Sequence, residues 1–505
     1  MAGRALMFQG TASHVGKSVL TAAFCRILRR RGLRVAPFKA MNMSNNAWVT
    51  RQGGEMAIAQ AAQARACGVE PTVEMNPVLL KTTSDRASQV VVLGRATATV
   101  AAADLKTLRG RLTEAIEESL HRLLREYEVV VMEGAGSPTE VNLRETDFAN
   151  MAAAELADAH VVIVADIERG GVFAQIVGTW ELLRPEERRR VLGFIINKFR
   201  GDPALLSDGT AWLEQRVGRR IFGVLPYLAD LRIPEEDSLA ERLAARPSSS
   251  HTSLRVQILQ TPTMANFTDF DPLHREPGVE VEYLTQPPDG ALPHLLILPG
   301  SKATVADLGW LRQRGLDRYV QDCAGQGVEV LGICGGFQML GETIYDPSHV
   351  ESQEAAARGL GLLPTSTLFL PTKVTDQVGG VHLDSGARVR GYEIHCGRMQ
   401  GGRKGRPIFR LQERGGAAVD ELDGCQAEGR PVWGTYLHGL FDEDEFRHAL
   451  LNRLRDRYQL PQPSEISRPF GARDDNSPDP FDQLADAVRA HIAVDEILER
   501  AGWTP

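Results

Sequence analysis

Two stretches of this chain carry residue types that can do chemistry at a spacing that lets them do it. The first is Val328-Glu-Val-Leu-Gly-Ile-Cys334-Gly-Gly-Phe-Gln-Met-Leu340, an apolar strand, a small-residue turn with one cysteine, and an apolar run of helical type. A tight strand-to-helix turn projects the side chain at its apex, and flanking glycines let the backbone take the strained shape. Cys334 is therefore the candidate nucleophile. A helix N-terminus beneath it favours the thiolate, and the backbone N–H of Gly335 faces the oxygen where charge develops. About a hundred residues later Val432-Trp-Gly-Thr-Tyr-Leu-His438-Gly-Leu-Phe441 is a strand ending in a histidine, so His438 is the candidate base.

The second stretch is Gly10-Thr11-Ala-Ser-His-Val-Gly16-Lys17-Ser18, preceded by the apolar run 5–8 and followed by apolar residues at helical spacing from Val19 to Leu28. In such a β-loop-α unit successive N–H groups wrap phosphate oxygens, Lys17 adds a point charge, and the Ser18 hydroxyl can ligate Mg²⁺. ATP is the expected nucleotide.

These residues need elements to hold them. Strands are expected at 33–38, 129–132, 161–164, 192–196 and 221–225, with amphipathic helices between, one of them over 104–126. Strands that alternate with helices make a mostly parallel, doubly wound sheet, whose ligands gather at the carboxyl ends of the strands. At that edge lie Lys39 and Asn42 in Pro37-Phe-Lys39-Ala-Met-Asn42-Met-Ser-Asn45-Asn46, and Lys81 after Asn76-Pro-Val-Leu-Leu, all candidates for phosphate or substrate carboxylate. Glu133, at the tip of the strand 129–132, is the metal candidate beside Ser18. Asn197 and Lys198 end another strand in a loop suited to a base or ribose. A helix is expected to open at Gly53, and a final helix to run from 480 to 499.

The Ser-rich stretch 244–252 separates a first domain, 1–243, from a second α/β domain, 253–448, and a helical extension fills 449–505. The chain has 505 residues, 43% of them hydrophobic, enough for ordinary cores. Its net charge of −8 speaks against nonspecific nucleic-acid binding. Six scattered cysteines without a CxxC pair fit a reducing cytoplasm and speak against zinc. No signal peptide is legible and no apolar run nears the ~18 residues of a membrane span, so a cytoplasmic protein is expected.

Gly-Ile-Cys334-Gly-Gly-Phe-Gln followed by Tyr-Leu-His438-Gly resembles the class I glutamine amidotransferases, which release ammonia from glutamine through a thioester. The resemblance carries the second oxyanion-hole N–H onto Ser301, in the strand-end turn Pro299-Gly-Ser-Lys302. Most members orient the histidine with a Glu two residues on; this chain has Leu440 there, as the cobyrinate/cobyrate subgroup does, and what fixes the imidazole stays open. The loop at Gly10, with five residues between its glycines, is similar to the dethiobiotin synthetase type of P-loop. His395 is expected as a structural or glutamine-pocket residue, not as a second base.

The order of the two halves, with Glu133-Gly-Ala-Gly-Ser-Pro138 and Asp166-Ile-Glu-Arg-Gly-Gly-Val-Phe173, resembles the cobyric acid synthases of that subgroup over nearly the whole chain. The resemblance implies ATP-dependent, glutamine-hydrolysing amidation of the b, d, e and g carboxylates of adenosylcobyrinic acid a,c-diamide, with a corrinoid and glutamine as small-molecule partners. Cobyrinate a,c-diamide synthase is the alternative. A partition-type ATPase is a third reading, although Thr11 to His14 lacks the second lysine it requires.

Overall fold

The run of apolar residues from Val129 to Met132, and its like at Val161 to Ala165, are wholly buried because helices cover both faces of the sheet they form. In this computed structural model residues 3–84, 87–144, 147–228, 233, 253–401, 405–462 and 479–503 are described. Among them the first sheet has six parallel strands in the order Arg220–Pro226, Val191–Phe199, His160–Asp166, Arg4–Gly10, Val129–Glu133, Val35–Phe38. The order reverses at Arg4–Gly10, and the phosphate-type loop leaves that strand into the helix Lys17–Arg30. Helix and strand ends thus converge where the sequence places a ligand.

Two features of this domain differ from expectation. Residues Glu55–Ala57 form a strand against Ala47–Val49, so the helix starts at Ile58 and not at Gly53. Beside the main sheet lies a four-stranded one, Met41–Met43, Val78–Ser84, Ala87–Val92 and Arg95–Ala101, whose last two strands had no expectation attached.

The C-terminal segment returns to the first domain. Phe481, Leu484, Val488, Ile497 and Leu498 share one core with Leu20, Phe24 and Leu28 of the helix Lys17–Arg30. Arg26 Nε donates to Asp482 at 2.8 Å across the same contact. The expected single helix is two, Pro480–His491 and Val494–Arg500, because Ile492 takes an extended conformation and bridges to Gly223. The stretches 244–252 and 463–478 lie outside the described residues, the proposed linker among them.

The second domain repeats the parallel plan. Its sheet runs Val279–Leu284, Leu254–Leu259, Leu295–Leu298, Glu329–Ile333, Val432–Thr435, with Cys425–Gln426 antiparallel at one edge. Cys334 and His438 thereby follow adjacent strands. An antiparallel sheet built on the long pair Thr365–His382 and Arg388–Gly401 packs beside it, and its strand around Ile394 also faces the first domain.

The domains meet through paired polar and apolar contacts. Ala47 N–H donates to Asn266 Oδ1 at 3.0 Å and Phe267 N–H to Asn46 Oδ1 at 2.9 Å. Thr375 Oγ1 donates to Gly53 O at 2.6 Å, and Ala47, Val49, Ala57, Leu79 and Val91 of one domain bury Tyr392 and Ile394 of the other. Among the described residues no helix is long and apolar enough to cross a membrane.

Candidate functional site

Cys334 sits between the strand Glu329–Ile333 and the helix Gly335–Leu340 at φ 50°, ψ −105°, a strained conformation for a residue with a Cβ. Its N–H donates to Thr435 O at 2.8 Å on the neighbouring strand, and its Sγ lies 3.6 Å from Ile394 O. The turn therefore holds the thiol at the sheet edge, where it lines one pocket with Gly300, Ser301 and His438.

His438 is buried, and its Nδ1 lies 2.7 Å from Asp269 Oδ2. The other oxygen of Asp269 accepts from Gly439 N–H at 2.9 Å. Asp269 answers the question left open by Leu440, whose side chain is buried in the hydrophobic core of the domain. It lies in the turn Phe267–Phe270, 169 residues before the histidine. The legible signal was a carboxylate in a polar loop after the strand Leu254–Leu259, at the same sheet edge as Cys334 and His438. Burial alone would lower the imidazole pKa, but the Asp269 carboxylate and the Cys334 thiol beside it push it up to about 10. The imidazole is thus held in its protonated form beside the thiol.

The strand-end turn at Ser301 comes close to the Cys334 turn. Lys302 N–H donates to Thr263 O at 3.0 Å. Alternation along the antiparallel pair Met264↔Ser301 then turns Ser301 N–H away from that partner strand. A Cβ on Gly335 would lie 2.7 Å from Ser301 N, so this close approach of the two turns requires glycine. Asp307 fixes this turn, accepting from Ser301 Oγ at 2.6 Å and Thr263 Oγ1 at 2.8 Å.

At the first domain's sheet edge Glu133 gathers the residues expected there. Its Oε1 accepts from Ser18 Oγ at 2.9 Å and Lys39 Nζ at 2.8 Å, and its Oε2 from Gln63 Nε2 at 2.6 Å. Burial would raise its pKa, yet Lys39, Gln63 and Lys17 together hold it below the usual range, so it is ionised. Lys17 Nζ donates to Ala12 O at 2.9 Å and Gly136 O at 3.2 Å, folded over the loop. Thr11 N–H donates to Val164 O at 2.9 Å, which anchors the start of the loop after Gly10. Gly16 has φ 95°, and a Cβ there would strike Asn197 Nδ2 at 2.1 Å.

Asn197 donates to Val15 O at 2.9 Å and accepts from Lys198 N–H at 2.8 Å, so its amide braces the loop. Lys198 Nζ stands 3.7 Å from Asp166 Oδ2. Asn42 donates to Gln60 Oε1 at 2.8 Å, next to the Glu133 group. Lys81 is elsewhere. Expected at the phosphate edge, it lines the pocket of Cys334 instead, its Nζ 2.6 Å from Glu55 Oε2, because the strand Val78–Ser84 runs to the domain interface and not in the main sheet.

Residues 6–240 match the family described as the CobQ/CobB/MinD/ParA nucleotide binding domain, and residues 255–446 the CobB/CobQ-like glutamine amidotransferase domain. A cobyric acid synthase of Pelotomaculum thermopropionicum is 47% identical over 509 residues, covering 99% of this chain and 97% of its own. Another, of Moorella thermoacetica, is 48% identical over 91% of this chain and 90% of its own. That of Syntrophobacter fumaroxidans is 45% identical over 99% and 100%. The chain belongs to the cobyric acid synthase family. As a member it is a glutamine-dependent ligase of cobalamin biosynthesis, a P-loop nucleotide-binding domain joined to a glutamine amidotransferase domain.

Proposed function

We propose that this chain converts the b, d, e and g carboxylates of adenosylcobyrinic acid a,c-diamide to amides, drawing ammonia from glutamine at Cys334 and driving each ligation with ATP. The observation that carries the chemistry is the Cys334 turn set in one pocket with His438, whose Nδ1 is fixed by Asp269 at 2.7 Å. The Cys334 thiolate attacks the amide carbon, and the oxyanion forms between the N–H groups of Ser301 and Gly335. His438 gives its ring proton to the departing nitrogen, so ammonia leaves and a thioester stays. It then takes a proton from water, whose attack on the thioester returns the thiol and releases glutamate.

A carboxylate has a poor leaving group, so the γ-phosphoryl of ATP is transferred to it first and ammonia then displaces phosphate. In this reading the loop from Gly10 through Thr11 to Gly16 wraps the phosphates, Lys17 neutralises them, and Lys39, beside Glu133, meets the substrate carboxylate. Asn42 supports that wall through Gln60, while Asn197 and Lys198 border the nucleotide. Ser18 and Glu133 present hard oxygen donors 2.9 Å apart, and a cation, the Lys39 ammonium, already bonds the same carboxylate oxygen. The pair fits Mg²⁺, which, when bound, offsets charge on the phosphates.

Mass spectrometry of the corrinoid after incubation with Mg-ATP and glutamine tests the reading. Stepwise replacement of four carboxylates by amides is expected, and Cys334→Ala should keep amidation from ammonium but lose it from glutamine. An unchanged corrinoid alongside continued consumption of ATP and glutamine would refute the substrate.

A further inference from the structure

Both members of the Cys/His pair lean on the strand Arg388–Gly401, and that strand owes part of its cover to the other domain. Ile394 O stands 3.6 Å from Cys334 Sγ. Two residues earlier, Tyr392 makes a two-way backbone bridge to the histidine: its N–H donates to His438 O at 3.1 Å, and its carbonyl accepts from His438 N–H at 2.9 Å. The approach is so close that a Cβ on Gly391 would strike His438 O. The ring of Tyr392 follows its backbone and lies nearly parallel to the imidazole, at 16° with 5.4 Å between centroids. A Cβ on Gly300 would lie 2.9 Å from His438 Cε1, so the imidazole is confined there as well.

Residues two apart on a strand share a face, and Tyr392 and Ile394 turn theirs toward the first domain. Ala47, Val49, Ala57, Leu79 and Val91 bury them there, and neither side chain belongs to the second domain's own core. Trp48, from the hairpin Ala47–Val49 and Glu55–Ala57, packs on the Tyr392 ring at 56° with 5.5 Å between centroids. The hairpin is pinned in that place. Gln377 Nε2, on the residue opposite Tyr392, donates to Val49 O at 2.8 Å, and Thr375 Oγ1, opposite Ile394, to Gly53 O at 2.6 Å. One run of aromatic contacts therefore leads from the first domain, through Tyr392, to His438.

We propose that Tyr392 is a positioning residue for His438, and that Trp48, by packing on its ring, makes the glutaminase pair depend on the docked first domain. The proposal rests on the reading of Cys334 and His438 as that pair. The face of an aromatic ring attracts a cation within about 6 Å of its centroid, so Tyr392 favours the protonated imidazole in the orientation that Asp269 sets. The backbone bridge fixes where the imidazole starts, the ring fixes its tilt, and Trp48 holds the ring against it. His438 is thus completed by a residue of the domain that consumes the ammonia. The charged or titratable groups about the imidazole are Asp269 and Cys334, with Asp442 beside the Tyr392 ring. Across the thiol pocket stand Lys81, Lys302, Lys373, Glu351 and His395. Substitutions at Tyr392 and Trp48 leave all of these in place, so a change in the titration of His438 reports the ring.

The test is a pH profile of kcat and KM for ammonia release from glutamine, made on the full chain. Tyr392→Leu should lower kcat by about 2- to 30-fold, the scale of one cation–π contact, and leave KM nearly as it was. It should also bring the alkaline limb of the kcat/KM profile down by roughly 0.5–1.5 pH units, because an imidazole without the ring gives up its proton more readily. Tyr392→Phe keeps the ring and should restore both. Trp48→Ala, in the other domain, should move kcat and the limb in the same direction by less, and Trp48→Phe should restore them. Amidation from ammonium reports that each variant is folded. A Tyr392→Phe protein as impaired as Tyr392→Leu, or a Trp48→Ala protein with the wild-type kcat and limb, would overturn the proposal while the pair stands. If His438→Ala released ammonia at the wild-type rate, the reading of the pair would fall and take this one with it.

Discussion

Replacing Asp269 by Asn exchanges one carboxylate oxygen for an NH₂ and removes the charge that orients His438. Both oxygens are in use, Oδ2 beside His438 Nδ1 at 2.7 Å and Oδ1 accepting from Gly439 N–H at 2.9 Å. An amide has one acceptor, so in either rotamer it sets N–H against N–H. A hydrogen bond to a charged group contributes about 1.5–3 kcal/mol, which corresponds to roughly 10- to 150-fold in rate. The buried N–H left without an acceptor adds to that loss. The expected result is a fall of at least about 10-fold in kcat for glutamine hydrolysis, with amidation from ammonium unchanged. The variant also has a pH signature. The folded-state pKa of His438 stands at about 10, above the ordinary 6.5. A raised value means that the pairing stabilises the fold fully below pH ~6.5 and is lost as pH rises through ~10. The difference in Tm between wild type and Asp269→Asn should therefore be widest near pH 6 and shrink toward pH 10. A variant with full glutaminase activity, or one that loses ammonium-driven amidation in equal measure, would refute the role of Asp269.

Three further outcomes are expected. Glu133→Gln should sharply lower ADP formation and amidation with either nitrogen source while glutamine hydrolysis persists, since Glu133 touches Ser18 and Lys39 and not the thiol pocket; Mg²⁺ titration of the residual ATPase gives the comparison. Gly335→Ala places a methyl 2.7 Å from Ser301 N. It should lower glutamine hydrolysis by about 10²–10³-fold, the scale of one lost oxyanion donor, read against unchanged ammonium-driven amidation. Leu484→Ala removes a fully packed side chain from the core shared with Leu20 and Phe24. It should destabilise the first domain by about 2–5 kcal/mol in urea unfolding, and a loss under about 1 kcal/mol would mean that the C-terminal helices are not integral to that domain.

What the sequence determined by itself is local. The loop from Gly10 to Ser18 and the turn at Cys334 are contiguous, and their glycines, cations and flanking apolar strands dictate backbone shape within a few residues. The buried strands and the parallel plan of both domains followed from the same kind of pattern. So did the placement of Cys334 and His438 together, because each ends an apolar strand. Contacts across long separations were decided only in three dimensions. Asp269 reaches His438 over 169 residues because two loops end at one sheet edge, and no offset from the histidine encodes that. Lys81 was misplaced at the phosphate edge for a related reason: its strand looked like a member of the main sheet, and pairing with Met41–Met43 and Ala87–Val92 carried it to the domain interface instead. The helices after residue 479 read in the sequence only as a helical extension, yet their apolar faces complete the core of the first domain. Periodicity tells an element which face to bury; only the packing of the whole chain decides what it is buried against.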